Sequence, residues 1–166
     1  MMIDLIQILS EIFTELLIPV AVAFVSCMGF AIIFNIRRLH LLVAAAGGAL
    51  SWLVYLLVVH HHTDILACFW GGFAISLYSE LVARPCRTPS TIFLTIGLLP
   101  LVPGAGVYYT MKYFVQGQYA DFAARAMQTL SCAGAIALGV MLVISMVRML
   151  LHIQEMRHEK QKNKAN

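Results

Sequence analysis

Five stretches of the chain, residues 16–34, 41–59, 65–83, 92–109 and 126–147, are apolar almost throughout. A helix rising about 1.5 Å per residue needs roughly 20 apolar residues to cross a hydrocarbon core about 30 Å thick. The pattern therefore predicts an all-α polytopic membrane protein with five transmembrane helices, over residues 16–147. Pro19 falls in the first turn of the first span, where a missing backbone donor costs least. Ahead of the spans, Asp4, Gln7, Glu11 and Glu15 recur at three- and four-residue steps, with Ile3, Ile6, Leu9 and Phe13 between them. That spacing predicts an amphipathic helix over residues 1–15, and the absence of basic residues there argues against a signal peptide.

The fourth stretch breaks its own pattern. Residues 100–106 read Pro-Leu-Val-Pro-Gly-Ala-Gly, so Pro100, Pro103, Gly104 and Gly106 interrupt an apolar run. Each proline removes a backbone donor and clashes with the carbonyl four residues earlier. In hydrocarbon, broken backbone survives only where protein or a water-filled cavity surrounds it. The break is predicted to leave carbonyls free near Ile96 and Leu99. If a helix restarts at Pro103 and Gly104, its amino end would offer amide donors and a positive dipole end to a carboxylate. Tyr108 and Tyr109 are candidate lining groups. The simpler reading is a kink that only packs.

Small residues mark close-packing faces. Gly47 and Gly48 lie in the second span. Cys68, Gly72, Ser76, Glu80 and Arg84 recur every four residues in the third and give the break a candidate neighbour. Glu80 ends that stripe. A carboxylate at the centre of a span costs roughly 2.5–3.5 kcal/mol, less near an end. Either it pairs with Arg84 one turn later, or it faces the transport path as a proton carrier or gate. Asn35 closes the first span as a helix-end residue or a ligand. The segment from Arg84 to Pro89 reads as a proline-rich loop, and Gln116-Gly117-Gln118 as the tip of a polar connection running from Lys112 to Arg125.

Composition agrees with the pattern: 61% of the 166 residues are hydrophobic and only 11% charged, against about a quarter charged in soluble domains. The net charge of +3 sits in short clusters beside spans, which argues against nucleic-acid binding. With five spans, Arg37, Arg38, Arg84, Arg87 and the five basic residues of the tail 148–166 share one side, nine against Lys112 and Arg125. By the positive-inside rule the N-terminus is outside and the tail cytoplasmic, where it would attract anionic lipid. The four cysteines are scattered singly, and His60, His61 and His62 are adjacent and cannot converge on one ion. No metal or other cofactor is expected.

Asn35, the Gly47-Gly48 pair, Trp52, Ser79-Glu80-Leu81-Val82-Ala83-Arg84 ahead of Pro89, and Pro100-Leu101-Val102-Pro103-Gly104 followed by Tyr108 and Met111 together resemble the threonine/serine exporter family of bacterial inner-membrane transporters. The chain resembles the second, shorter membrane half of that family. The resemblance implies the small subunit of a two-component exporter, with a larger membrane subunit as partner and a small carboxylate-bearing substrate, either threonine and serine or a dicarboxylate such as succinate. A homo-oligomer is the alternative assembly. A subunit that only supports its partner, without touching substrate, is the alternative function. An intramembrane enzyme would need a nucleophile–base pair or convergent metal ligands, and no HExxH, GxSxG or ATP-binding P-loop occurs.

Overall fold

The computed structural model of the chain describes the backbone of residues 13–36 and 38–165 and the side chains of residues 14–36 and 40–151. The amphipathic face expected over residues 1–15 falls mostly outside these, as do the side chains of Arg37, Arg38 and the tail residues Arg157, Lys160, Lys162 and Lys164. The described residues form six α-helices and no strand: α1 (Ile18–Ile33), α2 (Arg38–Val59), α3 (Asp64–Cys86), α4 (Ser90–Leu98), α5 (Gly104–Val115) and α6 (Tyr119–Ala165). One wide turn, Phe13–Leu17, leads into α1, and a 3-10 turn, Leu99–Leu101, follows α4. Four segments are long and apolar enough to cross a bilayer: Thr14–Ile33, His40–Val59, Asp64–Cys86 and Tyr119–Leu151. Helices α4 and α5 together supply a fifth, bent by 49° at the break. The protein is an all-α polytopic membrane protein.

Helix α3 is the axis of the bundle, packing on α2, α4 and α6. Lipid is as apolar as leucine, so helices associate in membranes through close packing and interhelical hydrogen bonds. The small-residue stripe of α3 meets that need against α6. Cys68 packs with Cys132 and Ala135. Ser76 Oγ donates to the Val140 carbonyl at 3.4 Å. A Cβ on Gly72 would stand 2.9 Å from the Ile136 carbonyl oxygen, so the two backbones touch. Cys68, Gly72 and Ser76 thus face α6, and of the stripe only Cys68 reaches the break. Gly47 lies against Ile75 and Tyr78 of α3, and Gly48 against the Cys27 sulfur of α1. Val25, Ile33, Leu130 and Met141 point outward, as residues bathed in lipid do.

Helices α1 and α3 end alike. In α1, Asn35 N–H donates to Ile32 O at 2.9 Å and Ile36 N–H to Ala31 O at 3.1 Å. In α3, Arg87 N–H donates to Arg84 O at 3.3 Å and Thr88 N–H to Ala83 O at 3.2 Å. Both pairs are the Schellman arrangement, which places one residue in the left-handed region. That residue is Asn35 (φ 54°) in one and Arg87 (φ 49°) in the other, at a cost of roughly 1–2 kcal/mol for an L-residue. This cap explains one departure from the sequence. The segment from Arg84 to Cys86, expected as loop, completes α3 with Pro85 inside its last turn. A proline there forfeits a single intrahelical bond, and the cap holds the turn. The connection from Lys112 to Arg125 is likewise mostly helical, with only residues 116–118 as its tip and Gly117 at φ 72°.

Candidate functional site

The break is built carbonyl by carbonyl. Pro100 has no N–H, which deprives Ile96 O of its donor four residues on; Leu99 N–H, one residue earlier, and the Cys27 thiol of α1, at 3.5 Å, donate to it instead. The Ser51 hydroxyl of α2 lies 2.7 Å from Gly97 O and 2.8 Å from its own Gly48 O, so its single proton is shared between them. Leu99 O accepts from Val102 N–H at 3.4 Å. The carbonyls expected to be free at Ile96 and Leu99 are therefore satisfied from within the protein. Leu101 is buried against Gly71 of α3. Pro103, at φ −75° and ψ 59°, makes an inverse γ-turn in which Gly104 N–H donates to Val102 O at 2.7 Å. Helix α5 starts there with no side chain capping it. The orphan donors of its first turn, and its positive dipole end, are left for whatever occupies the space in front of them.

That space is a cavity of about 410 Å³, here the break cavity. Residues 100–106 form one wall. Trp52 and Tyr55 of α2 form the second, their rings stacked at 4.9 Å and 18°. The third carries a polar chain between α3 and α6: Arg125 Nη1 donates to Gln128 Oε1 at 3.1 Å, and Gln128 Nε2 donates to Asp64 Oδ2 at 3.0 Å. Thr129, whose hydroxyl donates to Arg125 O at 2.8 Å, abuts Gly106. The cavity thus holds a guanidinium and a helix amino terminus, which favour an anion, and a carboxylate, which favours a cation. Such a volume with a few convergent polar groups suits a small ligand.

A family model described as "Threonine/Serine exporter, ThrE" matches residues 19–146. The chain belongs to the threonine/serine exporter family. No curated protein and no solved structure matches it. Broken helices in secondary transporters are places where substrates and ions bind, and the break cavity has a broken helix for one wall.

The structure brings only part of the expected site of this exporter-family chain together. Pro100, Pro103, Gly104 and Gly106 line the break cavity. Tyr108 projects from the outer face of α5, 65% exposed and edge-on to Tyr109, away from the cavity. Glu80 lines neither this cavity nor any other described one; its Oε1 accepts from the Ser90 hydroxyl at 2.8 Å, tying α3 to the first residue of α4. Its hydrogen-bond partner is thus Ser90 and not Arg84, which is exposed in the last turn of α3. Asn35 lines a second cavity, of about 750 Å³, at the far end of α4. Gly47, Gly48, Gly72 and Ser76 pack helices together as described, and Cys68 both packs and lines the break cavity. Asp64, Arg125 and Gln128 were not among the expected site residues; Arg125 read as the far end of a polar connection. The spacing of Arg125, Gln128, Thr129 and Cys132, at steps of three, four and seven, is a one-sided polar stripe entering an apolar span, and it was the available signal.

Proposed function

We propose that this chain is the short subunit of an exporter in the bacterial inner membrane, and that the break cavity receives a zwitterionic amino acid, threonine or serine. The observation that carries this reading is the opposed charge in the cavity. Arg125 and the amino terminus of α5 suit the substrate carboxylate, and Asp64 suits its ammonium group, displacing Gln128 as it binds. A dicarboxylate such as succinate would set its second carboxylate against Asp64, so threonine and serine fit better. With the N-terminus outside and the tail in the cytoplasm, the break cavity lies on the outer side. Lys112 and Arg125 are then the two basic residues there, and Arg125 is held for substrate rather than for lipid. A larger membrane subunit completes the pathway. An apolar groove of about 490 Å³ between α1 and the break, lined by Val22, Ala23, Phe30, Trp52 and Pro100, supports this, because it leaves the break open sideways.

The test is threonine efflux from preloaded cells that depend on this chain, with serine and succinate efflux beside it. Arg125→Gln and Asp64→Asn should each slow threonine efflux by about tenfold or more, the worth of one charge-assisted hydrogen bond. Both variants should still insert in the membrane. Efflux of succinate alone would overturn the amino-acid assignment. Wild-type efflux by both variants would leave the chain as a supporting subunit that never touches substrate.

A further inference from the structure

The second cavity, of about 750 Å³, opens between the turn that ends α1 and the turn that ends α3. Its lining draws on the same two turns that hold residues in the left-handed region. Among the described residues, Asn35 and Arg87 are the non-glycine positions with positive φ, and both line this cavity. Glycine is the ordinary occupant of such a cap. A charged side chain kept there against its conformational preference is a common mark of function. The Arg87 guanidinium has no carboxylate partner among the described residues, and the cavity lining contains no acidic side chain. His40 Nε2–H donates to the Cys86 carbonyl at 3.3 Å, which fixes the wall beside Arg87. Thr91 and Thr95 stand one turn apart on the opposite wall, on α4, where the Thr95 hydroxyl donates to Thr91 O at 2.8 Å.

The geometry points to a binding site for a small carboxylate in this cavity, with Arg87 as its counter-charge and Asn35 and Thr91 as further hydrogen-bonding groups. It rests on the export reading, in which it is the cytoplasmic loading site opposite the break cavity. The two cavities meet along one bent span. Ile96 of α4 lines one and Pro100 of the turn after it lines the other, four residues or about 6 Å apart along the axis. His40 and Trp52, which line the same two cavities from α2, are twelve residues or about 18 Å apart. The barrier is therefore thinnest at the last turn of α4. There the Cys27 thiol joins Leu99 N–H on the carbonyl of Ile96, and the Ser51 hydroxyl holds that of Gly97. The cavities also differ in chemistry. Lacking a carboxylate, the loading site accepts a carboxylate whether or not the ligand bears an ammonium group, and selection for the amino acid falls to Asp64 beyond the barrier.

Cys86 reports on this site directly. It lines the cavity and is only half-buried, whereas Cys27, Cys68 and Cys132 are buried. In native membrane vesicles carrying the full-length protein, the rate of Cys86 modification by the anionic reagent 2-sulfonatoethyl methanethiosulfonate is measured with and without threonine or succinate, with Cys86→Ser as the blank. Each carboxylate should slow modification by about threefold or more at saturation, and Arg87→Gly should raise the half-protecting concentration by about tenfold. Glycine suits the conformation at position 87, so this variant keeps the turn while losing the charge. Protection is read as a ratio within each variant, which removes any change in intrinsic thiol reactivity. Unchanged modification with both ligands, equal protection in Arg87→Gly, or an unreactive Cys86 would each overturn the site. Threonine efflux without protection would sink this site and leave the export reading standing. Protection without efflux would do the reverse.

Discussion

Two glycines in one turn of α5 do different work. A Cβ built on Gly106 would come within 2.5 Å of the Thr129 hydroxyl oxygen, so this glycine is needed for α5 to lie against α6. A Cβ on Gly104 meets nothing within 4 Å, because the residue faces open space at the mouth of the cavity. Gly104→Leu should therefore fold and insert normally while filling the space in front of the α5 amino terminus. The expected result is threonine efflux at background with the protein present in the membrane at wild-type level, checked by immunoblot of washed membranes. Glu80 makes the opposite case. On sequence grounds it is either a partner of Arg84 or a gate on the path, yet it lies outside both cavities and accepts a single hydrogen bond from Ser90. An amide oxygen can accept the same bond, more weakly, and the bond lies outside both cavities, so Glu80→Gln should retain efflux within about twofold of wild type. Loss of efflux in Glu80→Gln at normal abundance would return the residue to the pathway.

At the level of elements, the broken span depends on how closely α4 approaches its neighbours. Gly97 sits where any side chain would run into Ile75, which is fully buried and has no room to give. Gly97→Ala should destabilise the bundle by about 1–3 kcal/mol, the usual cost of overpacking a tight core. Gly134 on α6 meets nothing within 4 Å, so Gly134→Ala should be neutral or stabilise by up to about 1 kcal/mol through helix propensity. Denaturation in detergent of the two variants beside wild type measures the difference. The sequence made the unbroken helices legible because hydropathy alone sets a span's length and place. It made the break legible because two prolines in four residues admit no continuous helix. It could not show that Pro85 ends α3 from inside, because that outcome hangs on the Arg87 and Thr88 cap bonds. Nor could it show that Cys27 and Ser51 donate to carbonyls of α4. Those donors lie 69 and 46 residues from their acceptors, and no local pattern pairs them. Asp64 and Gln128 were hidden for the same reason, since 64 residues separate them.

For the whole molecule, the two cavities fix what the orientation has to mean. The loading site holds Arg87, and the break cavity holds Arg125, at opposite ends of one bent span. Export requires the first to face the cytoplasm. The distribution of basic residues demands the same arrangement independently, because the loops that carry Arg87 and the tail share a side when α4 and α5 together cross once. If α4 and α5 instead dipped in and returned, α6 would run the other way: Arg125 would stay on the cytoplasmic side with Arg87 and the tail would emerge outside. Helix α6 decides between them. At 47 residues it is about 70 Å long, far more than a bilayer core, so its end stands well clear of the membrane and a fused reporter there is accessible. Alkaline phosphatase joined after Asn166 should be inactive, and a fluorescent protein at the same junction, which matures only in the cytoplasm, should glow. Active phosphatase would place the tail outside, as α4 and α5 dipping in and returning would, and the placing of the two cavities towards opposite faces would fall with the single crossing.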